Sequence, residues 1–261
     1  MKKILNSALL LLILASCQNT KKDSSSNSKE GYSNRIIEKH WSYNGETGPE
    51  HWKEIETYSN CDGKYQSPIN IVNYNLDETL SDLSIFYSDS THIHDVINNG
   101  HTIQYNFDLG DYITIHGKKF SLKQFHFHEP AEHLIDGIRY PMELHLVHVS
   151  NAGEYAVLAI MAKEGQSSKP FDFLESYLPI NVGETKNVDL AFDMNLNLPK
   201  QKTFFTYTGS LTTPPCTESV EWYIFKEPIT VSLEQVEALK KLMPMNNYRN
   251  EQPINGRTIK V

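Results

Sequence analysis

Short stretches of strand-like alternation, repeated along the chain, most narrow what it can fold into. Thr102-Ile-Gln-Tyr-Asn-Phe107 and Tyr112-Ile-Thr-Ile-His116 alternate apolar and polar residues. That period of two sends successive side chains to opposite faces of a strand. Glu143-Leu-His-Leu-Val-His-Val149 and Tyr155-Ala-Val-Leu-Ala-Ile-Met161 are apolar strand candidates rich in β-branched residues. Asn99-Gly100 and Asp136-Gly137 are turn signals between such stretches. One helix stands out near the C-terminus. Ser232 and Gln235 form a capping-box pattern, and Leu233, Val236, Leu239 and Leu242 make one apolar face. The expected fold is mainly β, with few helices.

At 261 residues and 39% hydrophobic content the chain has material for a real core. No internal repeat is evident, and one domain over residues 36–261 accounts for the apolar and aromatic residues. The formal net charge is −8, with no basic patch or stripe, which argues against a nucleic-acid partner. Residues 1–16 read as a signal peptide: Lys2 and Lys3 precede Ala8-Leu-Leu-Leu-Leu-Ile-Leu-Ala15, an apolar run too short to span a bilayer. Leu14-Ala15-Ser16-Cys17 resembles the lipobox of bacterial lipoproteins, in which the cysteine becomes a lipid-modified N-terminus. The competing reading is an ordinary secretory signal with an incidental cysteine. Residues 17–35 are polar and low in complexity, as expected of a lipidated Cys17 followed by a flexible tether. Removing the leader takes two lysines with it and brings the net charge to −10. The expected location is exported, in the bacterial periplasm or at the cell surface, anchored to a membrane through Cys17. Two cysteines then remain, Cys61 and Cys216. An oxidising compartment permits a disulfide between them; two free buried thiols are the alternative.

Of the 11 histidines, spacing singles out a few. In Gln124-Phe-His-Phe-His128, strand parity puts Gln124, His126 and His128 on one face and the two phenylalanines on the other. The imidazoles then stand side by side at metal-sharing distance. Glu143-Leu-His-Leu-Val147 supplies a third ligand by the same parity, with Glu143, His145 and Val147 on one face. Gln124 and Glu143 each sit two residues before a histidine, where they can accept its second ring N–H and fix its tautomer. His92-Ile-His94 has the same spacing but polar neighbours and no such supporting residue, so it reads as a solvated edge. His148 faces away from His145 and reads as structural.

These residues, with several further blocks, resemble an α-class carbonic anhydrase of the exported bacterial type. The blocks are Tyr65-Gln-Ser-Pro-Ile-Asn-Ile71, Asn98-Asn-Gly-His101, Gln124-Phe-His-Phe-His128, Glu132-His133, Glu143-Leu-His-Leu-Val-His148, Gly209-Ser-Leu-Thr-Thr-Pro-Pro-Cys216 and Glu221-Trp222. The resemblance runs from about His40-Trp41 to the C-terminus. It implies a large twisted, mostly antiparallel central sheet with short peripheral helices. It also implies a zinc ion (Zn2+) on His126, His128 and His145, supported by Gln124, the backbone carbonyl of Asn247, and Glu143. Thr212 would donate to Glu132 and orient zinc-bound hydroxide, with Thr213 beside it. Val147, Val157, Leu211 and Trp222 would form an apolar wall for carbon dioxide. His101 would carry protons along a water path lined by Tyr43, Asn99 and Gln104. Cys61 and Cys216 would pair as a disulfide. Departures from the family pattern are Ala131, Gln104, a short segment between Glu132 and Glu143, and Glu129, an acid directly after a proposed ligand.

The implied reaction is reversible hydration of carbon dioxide to bicarbonate and a proton. Three neutral imidazoles leave zinc its full charge and one open position, the arrangement of a catalytic site; structural sites are usually closed and cysteine-rich. The alternatives are a zinc-dependent esterase side activity and a non-catalytic binding module on the same fold. The chain lacks His-Glu-x-x-His and Gly-x-Ser-x-Gly, which disfavours a dedicated hydrolase.

Overall fold

The alternating stretches become strands of one large sheet. The computed structural model describes residues 40–80 and 83–261. The proposed leader, Cys17, the tether and the domain start at residue 36 lie outside the described residues. Among these, β1 to β5 span Asn70–Ile71, Ser84–Phe86, His92–Asn98, Ile103–Phe107 and Tyr112–Ile115. Next, β6 to β10 span Lys118–His128, Leu134–Ile135, Ile138–Arg139, Met142–Ser150 and Tyr155–Glu164. The last four, β11 to β14, span Thr185–Ala191, Phe204–Ser210, Glu218–Phe225 and Ile229–Val231. The helices are short: α1 (Trp52–Ile55), α2 (Lys169–Glu175) and α3 (Leu233–Lys240).

Eleven strands form the main sheet, in the order β11-β3-β4-β6-β9-β10-β13-β12, with β14 on β10, and β5 bridging β2 and β6. Pairing is mostly antiparallel, but β10 runs parallel to both β13 and β14. A small sheet, β1-β7-β8, lies apart. Its β7–β8 hairpin turns on Asp136-Gly137, with φ of 49° and 79°. Positive φ at both central residues is what a two-residue hairpin turn matching strand twist requires.

Parity sorts the core of the sheet into two clusters, apart from a small third one of Tyr43, Trp52 and Cys216. Phe125, Phe127, Leu144 and Leu146 belong to the larger one. Val147, Val157 and Trp222 belong to the other, on the opposite face. From Ala156 to Ala162, β10 is buried throughout, which is why its sequence is a continuous apolar run.

Two expectations change in detail, and one alternative closes. The α3 capping box is present, and Val236 and Leu239 are buried, but Leu233 is 52% exposed. Leu233 is the first helical residue, ahead of the turns that reach the core. His92 and His94 are solvated, yet β3 is paired on both sides, so they occupy an open face of an interior strand and not an edge. Cys61 and Cys216 form a disulfide with a Cα–Cα distance of 4.9 Å and a sequence separation of 155, which removes the free-thiol alternative. Closing so long a loop restricts the unfolded chain by about 5 kcal/mol in the chain-entropy model. His148 is structural as expected: it is fully buried, with Nε2 2.7 Å from the Tyr87 hydroxyl.

Candidate metal centre

Antiparallel pairing of β6 and β9 sets His126 directly opposite His145. With His128 two residues along β6, three rings meet at centroid distances of 5.0, 5.2 and 4.6 Å. One nitrogen from each lies within 4.8 Å of the others.

The opposite nitrogen of every ring is engaged. His126 Nδ1–H donates to Gln124 Oε1 at 2.8 Å, His128 Nδ1–H to the Asn247 carbonyl at 2.6 Å, and His145 Nε2–H to Glu143 Oε1 at 2.8 Å. Such acceptors hold the ring proton on the outer nitrogen. The inner nitrogens therefore turn lone pairs toward one another, and His126 Nε2 lies 3.2 Å from His128 Nε2. Facing lone pairs repel, and a cation between them reverses the sign. Tetrahedral zinc with Zn–N bonds of ~2.0–2.1 Å spaces its nitrogens about 3.3 Å apart, so the donor set fits that ion. Burial pushes all three imidazoles below their ordinary pKa, His128 to about 4, which keeps them neutral and available. For His126 the neighbouring imidazoles add to that effect.

Two buried carboxylates flank the cluster. Burial alone would raise Glu143, but His133 and His145 hold it well below the usual range. Its Oε2 accepts from the N–H groups of Glu132 and His133, at 2.8 and 2.9 Å. Its Oε1 is shared between His145 and His133 Nδ1. His133 Nε2 continues to the Tyr207 hydroxyl at 2.7 Å, which reaches Ser67 Oγ at 2.8 Å. With both nitrogens of His133 committed, the His133–Glu143–His145 group is a hydrogen-bonded chain and not a second metal site. Glu132 is raised to about 7 by burial, against the opposing pull of His145, the Thr212 hydroxyl and the Arg249 N–H. Its Oε1 accepts from that N–H at 2.9 Å. Its Oε2 lacks a hydrogen-bond partner and lies 3.4 Å from His128 Nε2 and 3.9 Å from His145 Nδ1. A buried carboxylate within 4 Å of two of the inward nitrogens also favours positive charge there.

A cavity of about 120 Å³ opens onto His126 and His128, lined also by Tyr43, Asn99, His101, Gln104 and Thr213. The structure thus gathers the residues expected to line a proton path beside the histidines. Val147, Val157, Trp222 and Leu211 gather in the apolar cluster on the same face, with Trp222 5.0 Å from the His145 ring, but none lines that cavity. Thr212 is buried. His101 stacks on Trp41, ring centroids 3.6 Å apart and nearly parallel at 9°. A larger cavity of about 290 Å³, lined in part by His116, Glu221 and Lys260, touches none of the three histidines. The donor chemistry marks the site; cavity size does not.

Sequence reasoning gave no role to Trp41, Ser67, His133, Tyr207 or Arg249. Ser67 and His133 lie inside the matching sequence blocks, and Trp41 opens the matching region. Tyr207 and Arg249 carried no local signal, since their partners are distant in sequence.

The family model described as eukaryotic-type carbonic anhydrase matches residues 47–261. The chain is 41% identical over 228 residues to the carbonic anhydrase of Klebsiella pneumoniae, covering 86% of this chain and 92% of that protein. It is 40% identical over 225 residues to the carbonic anhydrase of Nostoc sp., covering 84% of each. The solved Photobacterium profundum alpha-carbonic anhydrase superposes with a TM-score of 0.80 at 40% identity, covering 85% of this chain and all of that one. The Thermovibrio ammonificans alpha-carbonic anhydrase, solved in complex with the inhibitor sulfanilamide, gives 0.81 at 38% identity, covering 85% and 99%. Matched in sequence and fold across most of its length, the chain belongs to the alpha-type carbonic anhydrase family.

Proposed function

We propose that the chain hydrates carbon dioxide reversibly to bicarbonate and a proton, at a zinc ion held by His126, His128 and His145. The observation that carries this is the cluster of three inward lone pairs, each fixed by an acceptor on the far side of its ring. When bound, zinc lowers the pKa of a water ligand to about 7 and supplies a nucleophile near neutrality, a value for which carbonic anhydrases are themselves the reference case. The protein's residues do the rest. Glu132 Oε2 is free to accept the Thr212 proton. A threonine hydroxyl donating there can only accept from the attacking oxygen, which turns a lone pair of that oxygen toward the substrate. Val147, Val157, Leu211 and Trp222 offer an apolar surface to an apolar gas, and Thr213 flanks it. His101 passes the released proton outward past Tyr43, Asn99 and Gln104.

Metal analysis with stopped-flow hydration tests the reading. The expected outcome is one zinc per chain, activity lost on chelation, and zinc lost in His145→Ala. Zinc-loaded protein without hydration activity removes the enzymatic reading.

The same proposal places the protein outside the cytoplasm, tethered by lipid on Cys17. The leader and lipobox pattern support it, as does the Cys61–Cys216 disulfide, a feature of oxidising compartments. Among the described residues no helix is long and apolar enough to cross a membrane. Mass spectrometry of the mature N-terminal peptide should find diacylglycerol on Cys17; an unmodified cysteine there rules the anchor out.

A further inference from the structure

Asn247 enters the site twice. Its backbone carbonyl holds His128, as described. Its side chain, fully buried, does separate work. Nδ2 donates to the carbonyls of His101, at 3.1 Å, and Phe127, at 3.0 Å. Oδ1 accepts from the Glu129 N–H at 2.8 Å. One amide therefore joins the turn that presents His101 to the strand end that presents His128.

Both partners are stiff. In the turn, Asn99 Oδ1 accepts from the N–H groups of His101 and Thr102, each at 2.9 Å, and Gly100 takes the φ of 84° that closes it. Thr102 Oγ1 adds a second tie, donating to the Phe127 carbonyl at 2.6 Å. On the strand side, Glu129 is fixed by an ion pair with Lys240 at 3.2 Å. Lys240 ends α3, in the same segment that delivers Asn247. Glu129, an unusual acid beside a ligand, thus fastens that segment to the end of β6. Nδ2 also lies 3.7 Å from Met243 Sδ. A buried amide bonded to three main-chain groups resists any relative shift of those elements, because a shift orphans a polar group.

We propose that the Asn247 side chain is a positioning residue that couples the placement of His101 to the metal ligands. The inference rests on reading the site as a zinc centre served by His101. Coupling of this kind is reciprocal in binding: zinc on the histidines should steady the turn, and a loosened turn should weaken zinc binding. A loosened turn should also misplace His101 for proton delivery.

Asn247→Asp keeps the carbonyl for His128 and an acceptor for Glu129, and removes the donor to His101 and Phe127. The expected result is turnover in weak buffer lower by about ten-fold, the scale of such supporting contacts. The ratio kcat/KM should stay near the parent value, and added imidazole should restore turnover. A readout independent of activity is amide hydrogen exchange at residues 99–102. In the parent chain zinc loading should slow it; in the variant that slowing should be lost. Equal falls in kcat and kcat/KM without imidazole rescue, or zinc-dependent protection unchanged in the variant, overturn the proposal. If the variant does not fold, the parent decides: exchange at 99–102 indifferent to zinc overturns it. Coupled exchange in a parent chain that hydrates no carbon dioxide keeps the brace and removes the enzymatic reading.

Discussion

His101 lies against Trp41, where burial, with repulsion from His40 second, pushes its pKa down to about 4. A proton carrier at neutral pH works best nearer its ordinary value of about 6.5. The stacked position is thus one in which the imidazole is neutral and gives up protons readily. Trp41→Ala should raise the His101 pKa toward that ordinary value, because removing the indole relieves the larger cause. Titration of the His101 ring by NMR checks this; a midpoint still near 4 would show that burial under Trp41 is not what depresses it.

At the scale of elements, β6 does two jobs through parity alone. Its Phe125 and Phe127 are fully buried in the larger core, while His126 and His128 project to the other face. Phe125 stacks on Tyr105 at 4.8 Å, and Phe127 meets Phe171 at 5.6 Å. The phenylalanines are therefore the footing of the proposed metal ligands. Phe127→Ala should cost about 3–5 kcal/mol of stability. Because the strand end that carries His128 loses its anchor, zinc affinity should fall as well. Urea unfolding and chelator competition measure the two effects. Unchanged affinity in a destabilised variant would mean that the acceptors Gln124, Asn247 and Glu143 place the histidines without the phenylalanine.

The whole molecule holds several histidines neutral by burying them, with a consequence for its pH stability. His148 is pushed to about 3 by burial, and its Nε2 meets the Tyr87 hydroxyl. In the unfolded chain it titrates at about 6.5, so below that pH the unfolded state binds the extra proton. The neutral native form is fully favoured above that pH, and stability drains away as pH falls from about 6.5 toward 3. The loss approaches about 1.4 kcal/mol per pH unit for one such group. Metal-free protein followed by urea unfolding should show the decline, and His148→Gln should lessen its slope by one group's share, the other buried histidines keeping theirs. A parent profile level from pH 6.5 to 4 would refute the assignment.

The sequence by itself determined the β class, the strand faces, the capping box of α3 and the identity of the three histidines. These follow from local periodicity, which a backbone imposes residue by residue. It also placed Gln124 and Glu143 beside their histidines, since two-residue spacing on a strand is a local fact. Only the tertiary structure decided that β3 is interior, that Leu233 is exposed, and that Glu143 serves His133 as well as His145. It alone set Trp41 over His101 and brought Asn247, 119 residues from His128, into hydrogen-bond reach. Those relations depend on which strands pair and how the C-terminal segment returns across the sheet, and long-range closure leaves no mark on local periodicity.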